Sequence, residues 1–307
     1  MKRPSFFVAG APRCGTTALY TYLKEHPRVF LPAIKEIHYF ASDFPDVHKI
    51  KFNSVDDYLN LFAEANETHL AVGEISPLYL YSTVALGRIK DFNPAAKIIL
   101  TLRNPVDFVQ SIHQLNLGLL REDEPDLARA WDLQELRRQG KMIPASCREP
   151  ELVMYGELGQ FGKHIQKVYE LFPKEQVLVI LFDDFAANPK AVYETILSFL
   201  DVPSDGRTNF PPVNAGFEHR SKLLARLIHP PQPVYRLFMK VISLFGVDFM
   251  KNVSLIYGKI EALNARRAPR DPLAPSMRAK LQNYFRDDIH LLASLTGRDL
   301  SAWLADQ

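Results

Sequence analysis

Cysteine is scarce. The 307 residues contain two, Cys14 and Cys147, which cannot build a disulfide framework and suit a reducing compartment. Long apolar runs are missing as well. The N-terminal segment carries two basic residues and then only five apolar ones, Phe6 to Gly10, against roughly 7–15 for a secretory signal and about 20 for a spanning helix. No such run occurs further on, so the chain reads as soluble and cytoplasmic. Nor does one charge dominate. Lys and Arg number 37 and Asp and Glu 35, leaving +2, which excludes a general drive toward nucleic acid or acidic membranes; any anion site must be local. The nine histidines and two cysteines show no HxxxH or CxxC spacing, and no metal site is expected. Repeats and low-complexity tracts are absent, which removes solenoids and disordered arrays. What is there is ordinary globular material, 47% hydrophobic and 23% charged, and a mainly disordered chain is excluded. The length fits two average domains or one large α/β domain. Without a convincing linker, one domain over 1–307 is the expectation.

Three segments share one pattern, an apolar strand running into a loop and then a helix. Phe6 to Ala9 is bounded by Gly10 and Pro12 and reads as a buried strand. After Gly15, Leu19, Tyr22 and Leu23 form a helical stripe that ends before Pro27. Lys97 to Leu102 is a second strand, followed by Asn104-Pro105 and a helix. Gln176 to Phe182 is a third, followed by an Asp183-Asp184 loop and a helix from about Pro189 to Leu200. This alternation implies a central parallel sheet with right-handed crossovers. Ligands of such sheets sit beyond the C-terminal strand ends, where Arg13, Arg103 and Asp183 fall. The polar stretch 116–151, with Trp131 and Leu133 in a helix, reads either as a solvated surface insertion or as a wall of a substrate cleft. A helical C-terminal region is expected over 222–307. Within it Val234 to Met250 is apolar but interrupted by Arg236, Lys240 and Asp248, which suits a core or lid helix or a peripheral membrane contact.

Between the first strand and helix lies Gly10-Ala11-Pro12-Arg13-Cys14-Gly15-Thr16-Thr17. Its terminal glycines allow a tight turn, the helix start presents free N–H groups, and two threonines add hydroxyls: an anion cradle. It departs from the ATP/GTP pattern GxxxxGK[ST], which has a lysine after the last glycine. Here Thr16 takes that place and the cation sits inside the loop, at Arg13. The strand 97–102 ends in Arg103, where nucleoside-triphosphate enzymes commonly place a magnesium-binding Asp. Loop and strand end both point to a phosphate-bearing donor handled without magnesium.

In this order and context, GAPRCGTT resembles the 5′-phosphosulfate loop of sulfotransferases that use 3′-phosphoadenosine-5′-phosphosulfate (PAPS). Leu102-Arg103-Asn104-Pro105, with Ser111 eight residues beyond the arginine, is similar to that superfamily's 3′-phosphate motif. Lys35-Glu36-Ile37-His38-Tyr39-Phe40 resembles a segment of the heparan sulfate 3-O-sulfotransferases. Glu74 to Tyr79 resembles their next segment, with Ile75 where a lysine usually stands. Tyr155 to Leu200 and the tail GRDLSAWL look like bacterial relatives. The resemblance reaches from residue 5 to residue 304. It implies a P-loop-like three-layer α/β fold, PAPS as donor, adenosine 3′,5′-bisphosphate (PAP) as product, and no metal. Cofactor contacts would come from Arg13, Cys14, Gly15, Thr16, Thr17, Arg103 and Ser111. Arg220, in the basic cluster Asn214 to Lys222, resembles the late loop that closes over the 3′-phosphate.

Sulfuryl transfer requires the acceptor to lose a proton and the charge on the transferring and leaving groups to be stabilised. The resemblance makes Glu36 the general base, with Lys35 as an opposite charge beside it. His38, two residues on, is a relay partner or itself the base; in an extended segment both side chains would share a face. Glu74 is the runner-up base, or else a structural partner. Arg13 stands where relatives often carry a catalytic lysine; it can neutralise leaving oxygens but is a poor proton donor. Cys14 invites a nucleophile role, yet packing inside the loop is the simpler reading. The competing functions are an atypical P-loop phosphotransferase, disfavoured by the missing lysine and magnesium aspartate, and a non-catalytic nucleotide-binding protein, which has no need of Glu36 and His38. The acceptor would be a hydroxyl or amine on a glycan, lipid or small molecule. Ile75 and the modest net charge favour a neutral acceptor over a long polyanion.

Overall fold

The computed structural model describes residues 2–47, 52, 54–213, 217–219, 265–267 and 272–305. Helices and strands follow in the order β1 (Phe6–Gly10), α1 (Thr16–Lys24), β2 (Val29–Phe30), α2 (Val55–Leu59), β3 (Ala71–Ile75), α3 (Ala85–Phe92), β4 (Lys97–Leu102) and α4 (Pro105–Gly118). Then come α5 (Leu127–Asp132), α6 (Gln134–Arg138), α7 (Tyr155–Leu158), α8 (Phe161–Leu171), β5 (Val177–Leu181), α9 (Phe182–Ala187) and α10 (Pro189–Phe199). Beyond these lie β6 (Phe217–His219), β7 (Ala265–Arg267) and α11 (Pro275–Thr296). Two compact units result: Met1–Phe108 with Gly159–Asn214 and Ala279–Gln307, and Val109–Leu158 with Ala215–Arg278.

The first unit is built on a five-stranded sheet in the order β2-β3-β1-β4-β5, with every neighbouring pair parallel. Helices flank it, giving the α/β layering expected of a P-loop-like fold. All five residues of β1 are buried, which is why its sequence is an unbroken apolar run rather than an alternation. Phe6 lies opposite Gly73 of β3, and a Cβ on Gly73 would stand 2.5 Å from the Phe6 ring. That glycine makes room for the aromatic. On α1 the stripe Leu19, Tyr22, Leu23 is buried and packs into one core with Val8, Ile99, Ile180, Phe185 and Ile196. The chain leaves β1 toward β3 and leaves β4 toward β5, so the crevice between the ends of β1 and β4 is the topological switch point of the sheet. The loop after β1 and Arg103 after β4 therefore come together there.

Two strands and one helix differ from expectation. β2 and β3 were not legible as strands. After β5 the chain does not form an Asp183-Asp184 loop but enters α9 at once. Both aspartates serve the C-terminal tail: Trp303 Nε1 donates to Asp183 at 2.8 Å, and Arg298 pairs with Asp184 at 2.8 Å. A second link from the tail region is made by Asp288 of α11. Its carboxylate accepts the Gly162 and Lys163 N–H groups at 2.8 and 3.0 Å, closing the start of α8.

In the second unit the stretch 116–151 begins inside α4 and is not a solvated loop. Ala130 and Trp131 are buried, and Glu122 and Arg137 form an ion pair whose side chains are both fully buried. The Arg137 fork donates to both Glu122 oxygens at 2.7 Å, and the Tyr155 hydroxyl donates to Oε2 at 2.7 Å. Gln134 Nε2 and Asn116 Nδ2 donate to the carbonyls of Val153 and Leu152. The segment's charge-rich composition is thus partly an interior polar network. β6 and β7 form an antiparallel pair. Arg220 and the apolar segment 234–250 lie outside the described residues.

Candidate active site

The loop after β1 is shaped by its glycines. Gly15 is left-handed at φ 91°, and a Cβ there would lie 3.2 Å from the rings of Phe182 and Phe185. At Gly10 a Cβ would meet Leu80 Cβ at 2.6 Å. Gly15 caps α1 with no side chain, which leaves the first amides of that helix directed at the loop's concave face, where an anion is favoured. Arg13 also takes a left-handed φ of 65°. Cys14 is fully buried, and burial pushes its thiol up to about 12 although Arg103 and Arg13 pull it down. A thiol so held is a neutral packing group rather than a nucleophile.

Arg103 is 7% exposed. Its guanidinium carbon sits over the Phe182 ring, 4.9 Å from the centroid. Its polar contacts are thin: Nη1 reaches the Arg13 carbonyl at 3.4 Å, Nη2 stands 3.8 Å from Asp107, and buried Nε has no hydrogen-bond partner. A nearly buried cation with an unsatisfied Nε donor, near the free amides at the start of α1, has the chemistry to hold an anion. Ser111 is fully buried on α4, in the second unit.

Lys35 connects the loop to the candidate base. Its ammonium lies 3.2 Å from Thr17 Oγ1, 3.5 Å from Thr16 Oγ1 and 2.8 Å from Glu36 Oε1. The segment carrying it is not extended, which corrects the expectation that Glu36 and His38 share a strand face. Both residues are left-handed, at φ 63° and 55°. The backbone turns this way because its amides reach for the end of β3: Glu36 N–H donates to the Ile75 carbonyl at 3.0 Å and His38 N–H to Ser76 Oγ at 3.0 Å. As a result the Glu36 side chain is 36% exposed, whereas His38 is buried, its ring edge-on to Tyr79 at 6.0 Å.

Glu74, the other candidate carboxylate, faces the interior. It accepts the hydroxyls of Tyr79 (2.7 Å), Tyr58 (3.0 Å) and Ser76 (3.1 Å). Burial raises it to about 7, the three hydroxyls pulling the other way. The structure thus gathers Arg13, Cys14, Gly15, Thr16, Thr17, Lys35, Glu36 and Arg103 around one loop. Phe182, Tyr58 and Tyr79 were missed as contributors. Tyr79 stands inside the quoted Glu74–Tyr79 segment, but Tyr58 is sixteen residues upstream of Glu74 and nothing local marks it. Among the described residues no group of three or more His, Cys, Asp or Glu is placed to hold a metal ion, and no helix is long and apolar enough to cross a membrane.

This sheet, loop and basic strand end define a P-loop-like α/β fold. The sulfotransferase domain family matches residues 3–216, and the chain belongs to that family. It is 28% identical over 208 residues to the human bifunctional heparan sulfate N-deacetylase/N-sulfotransferase 2, covering 65% of this chain and 22% of the human protein. To the rat carbohydrate sulfotransferase 15 it is 24% identical over 246 residues, covering 65% of this chain and 44% of that protein. The chain therefore spans less than half the length of these relatives. Among solved structures, a sulfotransferase from Alicyclobacillus acidocaldarius superposes with a TM-score of 0.70 at 27% identity, over 99% of this chain and 100% of the other.

Proposed function

We propose that this protein moves the sulfuryl group from PAPS to a hydroxyl or amine of a glycan, lipid or small-molecule acceptor. The observation that carries this reading is the Lys35 ammonium, which touches both the anion loop at Thr17 and the carboxylate of Glu36. One cation joins the place where a donor's phosphosulfate would lie to the group that would take the acceptor's proton. Bound PAPS supplies an activated S–O bond whose leaving phosphate is already a weak base. The chain's residues do the rest. Gly15, Thr16 and Thr17 hold the 5′ side, Arg103 the 3′ side, and Arg13 and Lys35 neutralise charge on the leaving oxygens. Glu36 removes the proton as the acceptor oxygen or nitrogen attacks. The relatives' names favour a glycan among the acceptor classes. The single-domain arrangement over 1–307 and a cytoplasmic location are part of the same proposal.

The first test is thermal melting in EDTA. PAP should stabilise the fold by about 2.7 kcal/mol at a hundredfold excess over Kd, and an equal shift with 5′-AMP would remove the PAPS assignment. The second is Glu36→Gln, assayed by labelled-sulfate transfer across an acceptor library. Loss of a positioned base costs about 10²–10⁴ in kcat, with PAP binding retained. Near-normal turnover would move the base elsewhere.

A further inference from the structure

The segment that carries Lys35, Glu36 and His38 holds two non-glycine residues at positive φ, 63° and 55°. Such conformations persist only where the surroundings over-determine them. Three amides tie the segment down. Glu36 N–H has a fixed backbone acceptor, the Ile75 carbonyl. The other two amides use hydroxyl oxygens: His38 N–H donates to Ser76 Oγ at 3.0 Å and Phe40 N–H to Tyr79 Oη at 3.3 Å. A hydroxyl has one proton and can rotate, so it is a dependable acceptor only if that proton is engaged elsewhere. Both protons go to the same buried group, Glu74, at 3.1 and 2.7 Å.

We infer that Glu74 is a positioning residue: its carboxylate takes the protons of Ser76 and Tyr79 so that their oxygens accept the His38 and Phe40 amides and hold the Glu36-bearing segment in its left-handed shape. Once ionised, above about 7, the carboxylate is acceptor-only and suits this task, so the test is run at pH 8. Tyr58 is the third donor to it, at 3.0 Å, and accepts no amide of the segment. Glu74 is 1% exposed, so it acts through the two hydroxyls and does not meet an acceptor. The role rests on the reading of Glu36 as base only in its catalytic consequence; the hydrogen-bond polarity stands on geometry alone.

The test is amide hydrogen exchange, resolved by residue, on the full chain. Glu74→Gln keeps one carboxyl oxygen and puts an amide N–H₂ where the other was, so either the Ser76 or the Tyr79 hydroxyl loses its acceptor, and exchange should speed by about tenfold at His38 or at Phe40, the loss of one modest hydrogen bond. Ser76→Ala should release His38 but not Phe40. Tyr79→Phe should release Phe40 but not His38, and Tyr58→Phe neither. Amides of β4 serve as the unchanged reference. If Glu74→Gln fails to fold, the Ser76 and Tyr79 variants still decide the matter. Uniform changes across the segment, or none, overturn the proposal. Sulfate transfer from PAPS adds the catalytic arm: Glu74→Gln should lower kcat at least tenfold with the KM for PAPS unchanged. Failure of the exchange pattern in a protein that transfers sulfate sinks the positioning role alone. Absence of any transfer or PAP binding by the wild type sinks the sulfotransferase reading while leaving the exchange pattern to be judged separately.

Discussion

Glu74 in the first unit and Glu122 in the second are both buried carboxylates, 1% and 3% exposed, and each accepts a tyrosine hydroxyl at 2.7 Å. Their protonation is nevertheless driven in opposite directions. At Glu74 burial wins and the carboxyl rises to about 7 against three hydroxyl donors. At Glu122 burial pushes the same way, but the Arg137 fork, Tyr155 and the Glu124 amide together hold the carboxyl below the usual range. Hydroxyls satisfy a carboxylate's lone pairs without supplying positive charge; an arginine does both. One glutamate is therefore a fixed ion, and the other is poised near neutrality.

The largest effect should come from removing the charge. Arg137→Met would leave Glu122 buried without its counter-ion, and breaking such a pair costs about 3–5 kcal/mol. Urea unfolding at pH 7.5 measures it. The double variant with Glu122→Gln should recover most of the loss. A single-variant cost below about 1 kcal/mol would show that Glu122 is not the fixed ion described here.

Next comes the pH dependence of stability. Glu74 has a folded pKa raised from 4.5 to about 7. Between those values the unfolded chain has released the proton and the folded one has kept it, so stability from this group falls as pH rises through that window. At 1.36 kcal/mol per unit the contribution is on the order of 3 kcal/mol. Glu122 runs the other way: its contribution is present above about 4.5 and is lost as pH falls through its lowered folded pKa. Glu74→Gln should flatten the decline between pH 5 and 7.5 in calorimetric melts, and an unaltered slope would refute the poised state.

The smallest effects sharpen the contrast. Tyr58→Phe and Tyr155→Phe each delete one hydroxyl donor to a carboxylate, worth about 1.5–3 kcal/mol at most. At Glu74 the loss should move the stability midpoint to higher pH, because only hydroxyls oppose burial there. At Glu122 the midpoint should stay near its place, because Arg137 remains. Equal midpoint shifts would erase the distinction.

The sequence displayed the frame of the first unit well. β1 and β4 are uninterrupted apolar runs, and their loops announce themselves through Gly10, Gly15 and Arg103. β3 was illegible for a physical reason. Its sequence Ala-Val-Gly-Glu-Ile holds a glycine that exists to admit Phe6 and a glutamate buried only because three hydroxyls from elsewhere meet it. Such partners are assembled by the fold and leave no local spacing. The same holds for 116–151, whose charged residues read as solvated until Glu122 and Arg137 are seen facing each other fifteen positions apart. The loop's placement between β1 and α1 was readable because loop, strand and helix are contiguous. The left-handed turn at Glu36 and His38 was not, since it is imposed by Ile75 and Ser76, some forty residues on.

The cap that Asp288 places on α8 also orders events in time. Its acceptor oxygens belong to a residue 126 positions after Gly162. At a synthesis rate of about 5–20 residues per second, roughly 6–25 s separate the emergence of the helix from that of its cap. During that interval the first amides of α8 must be met by water or by a chaperone. The nascent chain thus carries a helix start that only a late-made segment can seal, and slowing translation between the two codons should lengthen the period in which the growing chain is open to proteolysis.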